Sequence, residues 1–223
     1  MDTLTDEILH ICAHLSDKDN IHLSATSKRF SVINFCVLFF TKMYIEDIIH
    51  LSYFDRFSNV IMFNTNKPLP KHITHLTFGF HFNQPINDYI PKSVTHLTFD
   101  CLFNQPINGC VPDSVTHLTF GHHFNQPINN CIPNSVTHLT FGLYFNRPIY
   151  DCIPDSVTHL TFGDIFDQPI NSCIPGSVTN LTFGYSFNQN IDELPISINN
   201  IELSRNYEHS ISEKMLPKVT IRK

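Results

Sequence analysis

Residues 93–113 read S-V-T-H-L-T-F-D-C-L-F-N-Q-P-I-N-G-C-V-P-D, and residues 114–134 read S-V-T-H-L-T-F-G-H-H-F-N-Q-P-I-N-N-C-I-P-N. The second stretch restates the first at an interval of 21 residues, and the pattern extends both ways. F-N-x-x-I begins at Phe82, Phe103, Phe124, Phe145 and Phe187, and as F-D-x-x-I at Phe166. T-H-L-T-F ends at Phe78, Phe99, Phe120, Phe141 and Phe162, with T-N-L-T-F ending at Phe183. Two phrases that share one period identify a stacked repeat array.

Within the unit, Val94-Thr95-His96-Leu97-Thr98-Phe99 has the β-branched and aromatic content of a strand. Alternation sets Leu97 and Phe99 on one face and His96 and Thr98 on the other, with the Leu/Phe face buried. Pro106 and Pro112 exclude a helix interior or a central strand from the rest of the unit, so the return path is irregular. One unit cannot bury its own apolar side, but stacked units can, because each residue meets its own equivalent above and below. The two phenylalanine columns use 12 of the 20 Phe in the chain. About seven rungs at the strand spacing give a parallel sheet roughly 30–35 Å long. The asparagine column (Asn83, Asn104, Asn125, Asn146, Asn188) reads as an internal ladder between turns, and Asp167 is expected to interrupt it and loosen its rung.

Composition excludes several classes. Hydrophobic residues are 42% and charged residues 15% of the 223, too apolar for a disordered chain. The net charge is −6 with no Lys/Arg block, which argues against nucleic acid as a partner. The longest apolar stretch, Phe35 to Phe40, is far below the roughly 20 residues of a spanning helix. An acidic start, Met1 to Glu7, does not resemble a secretory signal. The expectation is a cytoplasmic protein without a membrane partner. Seven cysteines, an odd number, argue against a disulfide framework.

L-T-F-G-x-x-F-N-Q-P-I resembles the FNIP repeat, whose F-N-x-P-I core stands at Phe82–Ile86, Phe103–Ile107 and Phe124–Ile128. The resemblance implies a leucine-rich-repeat-like solenoid, with a parallel sheet on its concave side. The repeat array is placed at 69–205, with weaker rungs at its two ends and a C-terminal cap at 206–223.

The period is absent before about residue 55. Leu4, Ile8, Ile11, Cys12 and Leu15 share one helical face, and a further apolar segment runs from Val32 to Tyr44. Residues 1–45 are read as a small all-α module and 46–68 as a connector and N-terminal cap. This module resembles an F-box on Leu4, Glu7, Ile8, Leu9, Leu15, Lys18, Asp19, Ser27, Lys28, Arg29 and Phe30, departing from it at Thr5, where the family usually has proline. An F-box before FNIP repeats is a pairing found in giant amoeba-infecting viruses and social amoebae. It implies docking of Leu4, Glu7, Ile8, Leu9, Leu15 and Leu23 onto a Skp-type adaptor of a cullin–RING ubiquitin ligase. The competing reading packs the same residues against the first rung.

Candidate chemistry falls into columns. His75, His96, His117, His138 and His159 would lie in a row about 5 Å apart. Such a row could ligate metal, but identical ligands on a flat face give no enclosing pocket, and a surface ladder of neutral imidazoles is preferred. Repulsion among them should depress their pKa values. Cys110, Cys131, Cys152 and Cys173 recur once per rung without C-x-x-C and read as small buried filler rather than a zinc set. Catalytic residues are normally singular, whereas these columns repeat, so neither an enzyme nor a cofactor is expected.

Specificity is assigned to positions that escape the period, against the alternative of drift on a solvent face. Asp100, His123, Tyr144 and Arg147 join the histidine row and Thr98 as candidates for contact with a target protein. The function expected is a substrate-recruiting adaptor of the ligase, the alternative being a binding scaffold uncoupled from it.

Overall fold

The computed structural model describes residues 38–222, so the F-box-like residues Leu4, Glu7, Ile8, Leu9, Leu15 and Leu23 lie outside the described residues. The described residues form two units: 38–62 with 66–77, and 63–65 with 78–222.

In the first unit, β1 (Met43–Tyr44) leads into a single helical turn, α1 (Ile45–Ile48), and a 3-10 turn at Phe54–Arg56 precedes β2 (Asn59–Met62). β1 pairs in parallel with β2, Met43 opposite Val60 and Tyr44 opposite Ile61, and Phe39 bridges to Phe57 in the same sense. Residues 38–44, the end of the segment read as helical, therefore have no helix. Parallel pairing with residues 56–61 holds them, Phe39 N–H donating to Arg56 O and Ser58 N–H to Phe39 O, and the β-branched and aromatic residues of the stretch suit a strand. Ile45 and Ile48 bury one face of α1, while Phe39, Tyr53 and Phe57 pack their rings at 5.0–6.0 Å. Ser58 is buried and donates its hydroxyl to the Phe39 carbonyl at 3.0 Å. A strand thus stands inside 46–68, the stretch read as a connector and N-terminal cap.

β3 (His75–Phe78) spans the division between the units. The second unit carries β4 (His96–Phe99), β5 (His117–Thr119), β6 (His138–Thr140), β7 (His159–Thr161), β8 (Asn180–Thr182), β9 (Asn200–Ser204) and β10 (Val219–Arg222). From β4 to β10 each strand is parallel to the next, with the histidines in register: His96 opposite His117, His117 opposite His138, His138 opposite His159. The step shortens to 20 residues at Asn180 opposite Asn200, and to 18 at Ile201 opposite Val219. The unit is a parallel β-solenoid whose coils return through turns, with no α-helix among its described residues and one 3-10 turn, Leu216–Lys218, leading into β10.

The core is columnar. Phe99, Phe120, Phe141, Phe162 and Phe183 stack at 5.5–5.6 Å with ring planes within 10°. Phe103, Phe124, Phe145, Phe166 and Phe187 stack at 6.1–6.3 Å beside them. The columns touch within each rung, at 4.0 Å between Phe141 and Phe145. Leu97, Val94, Ile107 and their equivalents fill the remaining interior.

Turns are tied by the predicted ladder. Asn104 N–H donates to Asn83 Oδ1 at 2.9 Å, Asn125 N–H to Asn104 Oδ1 at 3.0 Å, and Asn146 N–H to Asn125 Oδ1 at 3.1 Å. Asp167 does not interrupt the ladder: its Oδ1 accepts from Asn188 N–H and Gln189 Nε2, both at 2.9 Å. What the column needs is an acceptor, and a carboxylate supplies one as well as an amide does. Asn125→Asp should therefore leave chemical stability nearly unchanged at pH 7, while Asn125→Ala should cost about 1 kcal/mol by stranding a half-buried N–H. Urea melts of the two variants decide this; equal losses would refute the acceptor role.

Three of the four column cysteines lie buried where filler was expected, while Cys173 is only half-buried. Cys110, Cys131 and Cys152 are buried, and each thiol contacts the carbonyl two residues before it at 3.1–3.4 Å. Burial pushes the pKa of all four column thiols up, with nearby carboxylates or thiols adding to the effect, so they are poor nucleophiles.

Candidate binding faces

Three lines of side chains reach solvent from the second unit. The first is the outer face of the sheet. His96, His117, His138 and His159 stack their imidazoles at 4.1–4.2 Å with ring planes within 13°. Each ring Nδ1 is 2.9 Å from the hydroxyl of the preceding threonine, as in the first unit between His75 and Thr74. The hydroxyls of Thr116, Thr137 and Thr158 also donate to the threonine carbonyl of the rung before, at 3.2 Å. A hydroxyl has one proton. With that proton on the carbonyl, Nδ1 must carry the hydrogen and Nε2 is left as the acceptor. Asn180, which ends the row, keeps its amide 2.9 Å from Thr179 Oγ1. Thr98 and its equivalents lie half-buried along the same face.

The pKa values of His117 and His138 are lowered, and burial is the larger cause, with the neighbouring imidazoles second. Repulsion, the cause read from the sequence, is present but is the smaller of the two. A histidine whose folded pKa lies below its unfolded value near 6.5 stays neutral longer in the native state. Between those two values the unfolded chain binds more protons, so stability is complete above about pH 6.5 and falls as pH drops through the window. Nitrogen-detected NMR should find His117 and His138 titrating below 6.5, with Nδ1 protonated in the neutral form. Midpoints at or above 6.5 would remove the column's pH effect. Among the described residues no group of three His, Cys, Asp or Glu side chains could hold a metal ion.

The second line is the rim just beyond the strands. Here the glycine column permits close approach. A Cβ at Gly142 would overlap the carbonyl of Gly121, and one at Gly163 the carbonyl of Gly142. In most rungs at least one of the next two positions turns outward: Phe80, His123, Tyr144, Ile165 and Tyr185 are exposed, whereas Cys101 is buried and Leu102 half-buried. Backbone bonds hold this line in place, with Tyr144 N–H donating to His122 O at 2.9 Å and Ile165 N–H to Leu143 O at 3.0 Å. Asp100 is exposed on the same rim and accepts Cys101 N–H at 2.7 Å. The predicted candidates Asp100, His123 and Tyr144 thus share one line. The histidines and Thr98 occupy another.

The third line runs along the return path, where Arg147 replaces the glutamine and donates from Nε to Asn125 O at 2.8 Å. Arg147 and the exposed Tyr150 line a shallow groove with Pro127 and Pro148. Arg147 is therefore apart from the other candidates.

A cleft that sequence reasoning missed sits where the rim meets the last rungs. Asp164, Phe183, Gly184, Tyr185, Ser204, Arg205 and Arg222 enclose about 310 Å³. Arg205 and Arg222 are 17 positions apart, off the 21-residue period, and carried no signal for a reading built on columns.

The FNIP repeat pattern matches residues 63–101, 103–144, 145–186, 166–193 and 187–221. The chain belongs to the FNIP repeat family. Its FNIP array extends beyond 69–205 at both ends, and the structure gives a reason at the far one. Tyr207 stacks on Phe187 at 6.2 Å, and Glu208 N–H donates to Asn188 Oδ1 at 3.0 Å. Tyr207-Glu208-His209 therefore repeats the role of F-N-Q. Among solved structures the chain is similar to the giant-virus protein CroV588, described as a novel circular LRR protein, with 39% identity and a TM-score of 0.70. The match covers 80% of this chain and 30% of CroV588, so the chain spans less than a third of that protein. No curated protein matches the chain. Among the described residues no helix is long and apolar enough to cross a membrane.

Proposed function

We propose that this FNIP protein recruits a target protein to a Skp/cullin-type ubiquitin ligase, with the solenoid holding the target and the N-terminal F-box-like segment holding the adaptor. The observation that carries the binding half is the division of labour within each rung. Phenylalanine, leucine, asparagine and glycine columns hold neighbouring coils together, which leaves the outer face and rim free to differ. An array of exposed, backbone-fixed side chains on a rigid stack suits protein recognition. The ligase half rests on the F-box resemblance of residues 4–30. The mechanism is proximity: holding the target beside the ligase raises its effective concentration at the transferring subunit. No bond chemistry falls to the FNIP chain itself, and the cytoplasm is where the machinery would meet it.

Thr5, standing where an F-box usually has proline, favours a second reading, a binding scaffold without ligase coupling. Pull-down of a recombinant Skp-type adaptor by the full-length chain separates them. Stoichiometric capture, lost on Ile8→Asp with the melting curve unchanged, supports the adaptor. A folded chain that captures none of it supports the scaffold.

A further inference from the structure

From the cleft bounded by Tyr185, Arg205 and Arg222 we infer a docking site for an acidic peptide segment of the partner protein, a refinement that rests on the protein-binding half of the function proposed above.

Charge is the first argument. Residues 78–203 contain two basic side chains, Lys92 and Arg147, against ten acidic ones. Residues 204–223 contain five basic against two acidic. On a protein of net charge −6, the last two rungs are where positive charge gathers. An acidic ligand is repelled along most of the array and drawn to this end.

Geometry is the second. Parallel pairing of β9 with β10 sets Arg222 opposite Ser204 and so brings it beside Arg205. Arg222 is held in place, its Nη2 donating to Phe183 O and its Nε lying 3.5 Å from Glu202 Oε2. A guanidinium has five N–H donors, so Arg222 keeps donors to offer after these contacts. Arg205 is exposed and makes no ion pair among the described residues. Two such groups suit a carboxylate, which a planar guanidinium can grip through two bonds at once.

The opposite lip defines the class more narrowly. Asp164 lies there, its Oδ1 accepting Tyr185 N–H at 3.3 Å. Its charge disfavours a bare polyanion and favours a ligand that carries a donor near its carboxylate, as a peptide backbone does. Tyr185 and Ile165, both exposed beside the cleft, offer apolar contact to the residue next to the acid. Tyrosine and arginine together are the composition of an interface hot spot.

The test uses the full-length chain. Random dodecapeptides displayed on phage are panned against it, and the best sequence is synthesised and titrated by fluorescence anisotropy. Selected peptides should be enriched in Asp and Glu next to an apolar residue. Arg205→Glu should weaken binding about tenfold or more, Arg205→Gln by less, and the distant Lys92→Glu not at all. Unchanged melting curves confirm that these variants fold. Peptides without acidic enrichment, or binding indifferent to Arg205→Glu, would overturn the inference. Displacement of the peptide by a thymidine 20-mer as readily as by unlabelled peptide would also overturn it, since the site would then be a general polyanion site. The two readings fail separately. Peptide binding that depends on Tyr144 and not Arg205 removes this cleft but keeps a protein-binding solenoid. Arg205-dependent binding without adaptor capture keeps the cleft and leaves the scaffold.

Discussion

Phe141→Ala is expected to destabilise the second unit by about 3–5 kcal/mol, the range for truncating a fully enclosed phenylalanine. The Phe141 ring meets Phe120 and Phe162 at 5.6 Å above and below, and Phe145 at 4.0 Å in its own rung. Removing it opens a void against three rings at once. The void also sits in the middle of a quasi-one-dimensional array, whose stability is a sum of rungs and of interfaces between them. Weakening one interface should therefore loosen the coupling between the rungs before and after it. Hydrogen exchange ought to show the largest loss of protection in β6 and β7, with guanidinium melts turning broader. Tyr144→Ala, three residues away and 45% exposed, should cost less than about 0.5 kcal/mol. Equal losses for the two variants would mean that the aromatic column does not carry the stack.

That column was legible because its evidence is periodicity, which needs no coordinates. Leu97 and Phe99 alternate with His96 and Thr98, the alternation recurs every 21 residues, and the buried face follows. The asparagine ladder was legible in kind but not in its requirement. Nothing in a list of Asn residues says whether the donors or the acceptor matter, and Asp167 answers that only once Asn188 N–H is seen bound to it. The extended course of residues 38–44 is not legible locally, because a short apolar run fits a helix as well as a strand. Pairing with a distant segment, invisible in local sequence, decided between them. The last rung is hidden in the sequence for a similar reason. Tyr207-Glu208-His209 keeps the backbone roles of F-N-Q while sharing none of its letters. Among the site residues, the histidine row and Asp100, His123 and Tyr144 fall on two definite lines because rung position sets them. Arg205 and Arg222 converge through the shortened 18-residue final step, and only the register of β9 and β10 reveals it.

Gly142→Ala should rival the phenylalanine truncation, at about 3 kcal/mol, although it adds a single methyl group. The obstacle is backbone, not side chain. An added Cβ would overlap the carbonyl of Gly121 and approach His122 N within 2.9 Å, and neither can swing aside as a flexible side chain could. Relief requires the two rungs to separate locally, which stretches the neighbouring bond from Tyr144 N–H to His122 O and disturbs the ring stack beneath it. Gly176→Ala supplies the opposite expectation. Nothing lies within 4 Å of a Cβ there and its φ is not in the left-handed region, so the change should be neutral or stabilising by about 0.4–1 kcal/mol through the unfolded chain. Thermal melts of the pair measure the difference directly. A Gly142→Ala variant as stable as Gly176→Ala would show that the rungs are not held at the separation the strand register demands. The rim beyond them, with its fixed row of exposed side chains, would then lose its physical basis as a recognition surface.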